Sequence, residues 1–167
     1  RLWWPRGKVL GGSSSINGCY FIRGTKADFD HWAALGNDKW SYEQVLPYFK
    51  RSETDQDFSN EFHGATGPIS VRREPRDRAP EFTPAFTDAC RALGFAEAPD
   101  KNAPTNDGVG PVPLNIEDGH RVGTAVGYLI PAMARPNLRV VGDAVAQRVI
   151  FDGKRAVGVE ALVDGEP

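Results

Sequence analysis

Residues 7–17 have the sequence GKVLGGSSSIN, and Gly18, Cys19, Tyr20 and Phe21 follow them directly. This segment is too rich in glycine and serine to form a stable amphipathic helix of its own. Adjacent glycines let the backbone bend sharply and approach a ligand closely, so that main-chain N–H groups can point into one concavity. The segment therefore predicts a ligand-cradling loop, although a flexible turn would have a similar composition.

Polar side chains in and around this loop suit an anionic group. Ser13, Ser14 and Ser15 supply hydroxyls, and Arg6 and Lys8 supply positive charge. Anions bind well where backbone N–H groups, hydroxyls and a cation converge. We therefore expect an anionic part of a ligand to lie against this loop.

The composition is that of a globular protein and excludes several functional classes. The 167 residues are 40% apolar and 25% charged, and 20 basic against 22 acidic residues give a net charge of −2. Because there is no basic excess, we expect no nucleic-acid partner. No apolar run approaches the roughly 20 residues of a membrane span, so we expect no spanning segment. The composition, with two cysteines that form no disulfide framework, fits a cytoplasmic location.

The cysteines and histidines show no metal-ligand spacing. Cys19 and Cys90 lie far apart and form no C-x-x-C pair, which predicts two reduced thiols in apolar surroundings. His31, His63 and His120 are also scattered along the chain. We predict no metal site.

Capping signals predict two helices after the loop. Thr25 and Asp28 form a capping box ahead of an apolar-periodic run, and Ser41 with Gln44 forms a second one. Pro47 lies inside the second helix, which we expect it to limit or kink because proline removes a backbone hydrogen bond.

Helix and strand signals alternate further along the chain. A short alternating strand is predicted over residues 69–72. A helix is predicted with Thr83 as its N-cap and Gly94 as its stop, and another helix is predicted over residues 124–134.

The last segment gives the strongest strand signal. Its apolar residues begin at Leu138 and recur up to Val163, and the pair Asp152-Gly153 interrupts them. An Asp-Gly pair between alternating apolar runs predicts a β-hairpin turn. The chain is therefore expected to belong to the mixed α+β class.

The loop resembles the first signature of the glucose-methanol-choline (GMC) oxidoreductases. The pattern G-K-x-L-G-G-S-S-x-I-N, followed by Tyr20-Phe21, Gly24 and Asp30, is filled over residues 7–30. Later segments resemble the family in the same order: residues 40–49, His63-Gly64, Gly67-Pro68, Thr124-Ala125, Tyr128-Leu129, Pro131-Ala132, residues 135–138 and residues 155–160. The resemblance covers nearly the whole chain and is strongest to choline- or alcohol-dehydrogenase-like members.

This resemblance implies an FAD-dependent enzyme in which an alcohol carbon transfers hydride to the flavin, with a small-molecule alcohol as substrate. Residues 1–60 and 131–167 would be parts of the FAD-binding domain, and residues 61–130 part of a substrate domain with an antiparallel sheet. In the family the signature loop lies along the pyrophosphate and isoalloxazine of FAD. The implied cofactor-binding residues are Gly11, Gly12 and Ser13 at the pyrophosphate or flavin edge, Asn17, Gly18, Cys19 and Tyr20 near the ring, and Ala146 at the adenine.

One departure from related sequences bears on how FAD is held. Some family members carry a histidine immediately before the signature asparagine, and that histidine bonds covalently to FAD. Here the position is occupied by Ile16. We therefore expect non-covalent FAD.

Two parts of the family pattern are not found in this sequence. No G-x-G-x-x-G segment for the ADP moiety occurs, and no histidine matches the family's catalytic position. We expect the chain to be a central fragment with no catalytic residue of its own. Two alternatives stay open: a hydroxynitrile-lyase-like member that keeps FAD without net redox, and a stable fragment without FAD or activity. Unpaired apolar faces would favour association or a swapped dimer.

Overall fold

The computed structural model describes residues 2–164, and its mixed helices and small sheets confirm the α+β class. The helices are α1 (Lys26–Ala34), α2 (Tyr42–Ser52), α3 (Phe82–Ala92) and the single turn α4 (Ile130–Ala132). The strands are β1 (Glu53–Asp55), β2 (Ile69–Val71), β3 (Ile116–Glu117), β4 (His120–Arg121), β5 (Ala144–Asp152) and β6 (Arg155–Val163). One compact unit lies within residues 1–129 and a second within residues 130–167.

The first predicted capping box forms, whereas the second does not. At the start of α1, the Thr25 hydroxyl accepts from the Asp28 N–H at 3.3 Å, and the Asp28 carboxylate accepts from the Thr25 N–H at 2.7 Å. Ser41 makes no side-chain cap, and the first N–H of α2, that of Tyr42, donates to Asp30 of α1 at 3.0 Å. A carboxylate from the neighbouring helix thus satisfies one of the free N–H groups that every helix start leaves.

Two other predicted helices differ from their expected form. Thr83 is not an N-cap, since α3 begins at Phe82 and the Thr83 N–H already donates to the Pro80 carbonyl at 2.8 Å. The helix predicted over residues 124–134 divides into a π-helical turn, Ala125–Leu129, and α4. Pro131 has no N–H to continue a regular ladder, which accounts for the interruption.

The second unit contains the predicted hairpin. β5 and β6 pair antiparallel around a turn at Gly153-Lys154, and Gly153 has the left-handed φ of +57° that such a turn favours. The strand begins at Ala144 and not near Leu138 as predicted. Apolar side chains of the hairpin are widely exposed within this unit, including 49% for Val149 and 59% for Val159.

None of the helices formed by residues 2–164 is long and apolar enough to cross a membrane.

The apolar core of the first unit is small. Ile69, Val71 and Val122 form it, with Phe21 packed against them. Strands β1 and β2 pair in parallel beside this core, with Glu53 opposite Ile69. Since so few apolar side chains are buried, polar interactions must carry much of the specificity of this unit.

A buried histidine lies at the centre of these polar interactions. Nδ1 of His63 is 3.0 Å from Glu53 Oε1 and 2.9 Å from Asp55 Oδ2, and Nε2 is 2.8 Å from Asp100 Oδ2. The side chains of His63, Glu53 and Asp55 are fully enclosed. Because both ring nitrogens face carboxylates, both carry a proton, and the ring is an imidazolium cation.

Two arginines complete the charge balance of this cluster. Arg23 donates to Glu53 at 2.6 Å, and Arg73 donates to both oxygens of Asp55 at 2.6 Å. The ring of Phe58 stacks on His63 with centroids 5.5 Å apart, and the Arg73 guanidinium lies 4.6 Å from the Phe58 centroid. Three cations thus face three carboxylates in a site shielded from water. We call Arg23, Glu53, Asp55, His63, Arg73 and Asp100 the ionic core.

The pKa values of the ionic core reflect these contacts. Burial by itself lowers the pKa of His63, but hydrogen bonds to Asp100, Asp55 and Glu53 outweigh burial and raise the pKa to about 10. Burial raises the pKa of Asp55 and Asp100, yet the hydrogen bond from His63, joined at Asp55 by one from Arg73, lowers the pKa of both, that of Asp55 well below its ordinary value. All three groups are therefore charged at neutral pH.

Close backbone packing fixes the turn that carries His63. A Cβ placed on Gly64 would lie 1.8 Å from the carbonyl oxygen of Lys50, so no side chain can be accommodated there. The absence of a side chain lets the 64–67 turn lie directly against the end of α2 and β1, which brings His63 next to Glu53.

We predict that His63→Gln lowers the free energy of unfolding by about 3–5 kcal/mol, because removing one member of a buried ion network leaves the others uncompensated. Urea unfolding followed by tryptophan fluorescence would measure this loss. His120→Gln is the matched control, since His120 is exposed and, among the described residues, its side chain hydrogen-bonds only the Asp118 carbonyl. Equal stability of the two variants would contradict the central role of His63.

We also predict that the stability of the native protein falls as pH rises from about 6.5 to 10. A histidine whose pKa is raised on folding contributes fully below its unfolded pKa of 6.5, and its contribution is lost as pH rises through about 10. Because folding lowers the pKa of Asp55 and Asp100, the free energy of unfolding should also fall when the pH drops below about 4. The unfolding free energy, measured across this range, should lose most of its alkaline slope in His63→Gln.

Candidate functional site

The glycine- and serine-rich loop folds into a tight left-handed bend. Gly11 has a φ of +86° and Gly12 a φ of +56°, both in the region that side chains rarely adopt. A 3₁₀ turn, Gly12–Ser15, follows, and the Gly12 N–H donates to the Val9 carbonyl at 2.9 Å. A Cβ on Gly12 would meet nothing within 4 Å. The loop is therefore open to solvent at Gly12, as a cradle for a ligand would have to be.

A threonine from a distant part of the chain holds this bend in place. The Thr124 hydroxyl lies 2.9 Å from Ser14 Oγ and donates to the Gly11 carbonyl at 3.2 Å. The Thr124 N–H also donates to Ser14 Oγ at 3.0 Å, and that hydroxyl donates to the Gly11 carbonyl at 2.7 Å. The bend is thus anchored through residues separated by more than a hundred positions. No local pattern links the two segments, so the sequence alone does not predict this contact.

The loop ends at an asparagine whose side chain is fixed. Asn17 Oδ1 accepts from the Cys19 N–H at 3.0 Å and also from the guanidinium of Arg121. Arg121 reaches the Ser14 carbonyl as well, at 3.4 Å. Arg121 carries no signal in the sequence, because its position beside the loop depends on the pairing of β3 with β4.

The residues after Asn17 return the chain to the body of the first unit. Cys19 is buried, with a φ of +62°, and its carbonyl accepts from the Asn115 N–H at 2.9 Å. Tyr20 is 68% exposed and pairs by an isolated bridge with Leu114. Both cysteines of the chain are free thiols, as the sequence predicts.

A small hollow lies beside the loop. Its volume is about 200 Å³, and its lining includes Asn17, Tyr20, Asn115, Thr124 and Tyr128. Ligand sites for larger organic molecules have volumes of about 300–1,000 Å³. The hollow can therefore take the edge of a ring, and an entire dinucleotide would need further surface.

These features fit a flavin nucleotide on the loop. The open face at Gly12, the exposed Ser13 and the exposed Asn17 amide offer polar groups to a ligand. Gly18 and Tyr20 are exposed next to them. The predicted site residues 11–20 thus lie together in the first unit, whereas Ala146 lies in the second, on β5 opposite Ala161.

The ionic core is the place where potential metal ligands come together. Ligand atoms of Glu53, Asp55 and His63 all lie within 4.8 Å of one another, a convergence that the sequence did not reveal. Each carboxylate, however, already faces a guanidinium, from Arg23 or Arg73. The protein's own cations thus neutralise both carboxylates, although the buried Glu53 Oε2 has no hydrogen-bond partner of its own among the described residues.

Comparison with known proteins relates the whole chain to one family. The model of the GMC oxidoreductases matches residues 1–166. An uncharacterised GMC-type oxidoreductase of Rhodococcus erythropolis is 51% identical over 160 residues, which are 96% of this chain and 32% of that protein. An oxygen-dependent choline dehydrogenase of Brucella canis is 47% identical over 156 residues, which are 93% of this chain and 28% of that protein. The chain thus spans about a third of the length of these relatives.

Solved structures show the same fold. Pyridoxine 4-oxidase from Mesorbium loti matches 98% of this chain and 32% of its own, with a TM-score of 0.90 and 29% identity. An FAD-dependent oxidoreductase from Chaetomium thermophilum matches 95% of this chain and 29% of its own, with a TM-score of 0.85 and 27% identity.

We predict that Thr124→Val loosens the loop, because valine keeps the shape of threonine but removes the hydroxyl that bonds Ser14 and Gly11. Loss of one such anchor should cost about 1 kcal/mol, which corresponds to about fivefold faster amide exchange. Hydrogen exchange of residues 9–17, followed by mass spectrometry, would measure the change. Thr87→Val is the control, since its hydroxyl bonds only the Thr83 carbonyl within α3. Unchanged protection of residues 9–17 would contradict the prediction.

Proposed function

The chain belongs to the GMC oxidoreductase family, and from this premise we propose that it forms the flavin-cradling part of an enzyme that oxidises the CH–OH group of an alcohol. The family supports FAD-dependent oxidoreduction. The observation that carries the proposal is the left-handed bend at Gly11-Gly12, whose open face is held in position by Thr124.

Different residues of the loop would contact different parts of FAD. Gly11, Gly12 and Ser13 would hold the pyrophosphate or the flavin edge, since their backbone can approach an anion closely. The ring would lie against the residues that follow, namely Asn17, Gly18, Cys19 and Tyr20. In the second unit, main-chain groups of Ala146 would contact the adenine. When bound, FAD supplies the hydride acceptor of the reaction.

We propose a division into domains that the family resemblance implies and that differs from the boundary between the two compact units. We assign residues 1–60 and 131–167 to the FAD-binding domain, and residues 61–130 to the substrate domain. The ionic core joins Arg23 of the first segment to Asp100 of the second through His63, so that these two segments fold as one unit.

An alcohol substrate is favoured by the names of the relatives. Choline and pyridoxine, which name two of them, are both alcohols. Oxidation of an alcohol needs a base that removes the hydroxyl proton near neutral pH. His63 is unsuited to this role, because it is enclosed and its pKa of about 10 keeps it protonated. We therefore assign no catalytic residue to this chain and place the base elsewhere in the enzyme.

The exposed hairpin gives the isolated chain a tendency to associate. Both Phe151, 62% exposed, and Val157, 57% exposed, present apolar surface within the second unit. Such surface favours a packing partner, either the remainder of a longer protein or a second copy in a swapped dimer. A chain produced alone would then bind FAD weakly, since the hollow beside the loop is smaller than the cofactor.

We predict that the complete gene product is purified with flavin and that alcohols bleach its visible absorbance under anaerobic conditions. Because Ile16 cannot form a covalent bond to the ring, acid precipitation should release the flavin into the supernatant. Absorbance spectra before and after addition of an alcohol panel, choline included, would test both statements. Flavin that no alcohol reduces would favour the hydroxynitrile-lyase-like alternative, and flavin retained in the precipitate would contradict non-covalent binding.

A further inference from the structure

The amide of Asn17 has a defined orientation. Its Oδ1 is approached by two donors, the Cys19 N–H and the Arg121 guanidinium, and only an oxygen can accept from both. Nδ2 must therefore point the other way. Among residues 2–164 Nδ2 forms no hydrogen bond, and Asn17 is exposed at the side of the hollow. The loop thus presents an unused N–H donor at the place where it is open.

Arg121 is the residue that holds this orientation. It lies on β4, is half-buried, and directs its guanidinium to Asn17 Oδ1 and the Ser14 carbonyl. Within the described residues it forms no ion pair with a carboxylate, in contrast to Arg23 and Arg73 of the ionic core. Because no carboxylate lies within ion-pairing distance of this guanidinium among the described residues, its positive charge can act on whatever binds in front of the loop.

We propose that Arg121 is a positioning residue for the flavin: it fixes the Asn17 amide so that Nδ2 donates to an acceptor atom of the ring, and its charge favours the more negative, reduced form. This inference rests on the proposed function. Oriented donors and nearby cations raise the electron affinity of a bound ring, because no reorganisation is needed when charge develops. A guanidinium that only held the loop in place would not change the reduction potential of the ring.

Two changes separate the electronic role from a structural one. Arg121→Met removes the charge and frees the Asn17 amide to rotate. Asn17→Asp keeps an oxygen for Arg121 and Cys19 but replaces the outward N–H donor by a carboxylate oxygen. Arg121→Lys keeps the charge and one donor, and should restore part of the wild-type behaviour. Arg91→Met is the matched control, since Arg91 is an exposed arginine of α3 that pairs with Asp88 and Glu97.

The experiment uses the complete flavoprotein and measures the flavin midpoint potential by dye-coupled reduction, the FAD dissociation constant by fluorescence, and thermal stability. We expect the potential to fall in Arg121→Met and in Asn17→Asp, and FAD affinity to fall about tenfold in Arg121→Met, the equivalent of losing one charged hydrogen bond. The double variant should shift the potential less than the sum of the single changes, because the two residues act through one contact. Arg91→Met should match the wild type.

The outcomes distinguish failure of the inference from failure of the proposed function. A wild-type protein without flavin would overturn the proposed function, and the inference with it. Flavin bound normally, with an unchanged potential in both Arg121→Met and Asn17→Asp, would overturn the inference alone. A lower FAD affinity in Arg121→Met together with an unchanged potential in Asn17→Asp would show that Arg121 only holds the loop in place. This result would also overturn the inference. If Arg121→Met does not fold, Asn17→Asp and Arg121→Lys decide the question by the same potential.

Discussion

The first unit depends on one buried cation, the imidazolium of His63, which bridges three carboxylates that would otherwise repel each other. These carboxylates come from β1 and from the turn at Asp100, so the ring joins segments far apart in the chain. Buried charges are tolerated only when each is paired, and Arg23 and Arg73 complete the pairing. With an apolar core as small as this one, the geometry of the ion network selects one arrangement of the connecting loops.

The glycine- and serine-rich loop takes its position from this network. The backbone N–H of Arg23 donates to Asn102 Oδ1 at 2.9 Å, and Asn102 Nδ2 donates to the Phe21 carbonyl at 3.0 Å. The segment that follows the loop is thereby tied to the ionic core, while Thr124 and Arg121 tie the loop itself to the segment after β4. The open face at Gly12 is thus supported from both sides.

This arrangement separates the stability of the unit from its proposed chemistry. The imidazolium is enclosed and permanently charged at neutral pH, which makes it a good structural cation and a poor base. The groups exposed at the loop are hydrogen-bond donors and hydroxyls, which bind and orient but do not remove protons. The exposed groups of the loop can therefore bind and orient a ligand, while the ionic core stabilises the fold.

The sequence by itself determined the features that depend on neighbouring residues. The capping box at Thr25, the hairpin around Gly153 and the bend at Gly11-Gly12 all follow from local backbone preferences, and ordered motifs were enough to indicate the family. Only the tertiary structure decided which distant groups meet. The cap of α2 comes from Asp30 in another helix, His63 is enclosed by carboxylates as far away as Asp100, and the loop is anchored by Arg121 and Thr124. Such contacts arise because folding satisfies buried charges and hydrogen-bonding groups with whatever partners the topology brings near, and no local spacing records that choice.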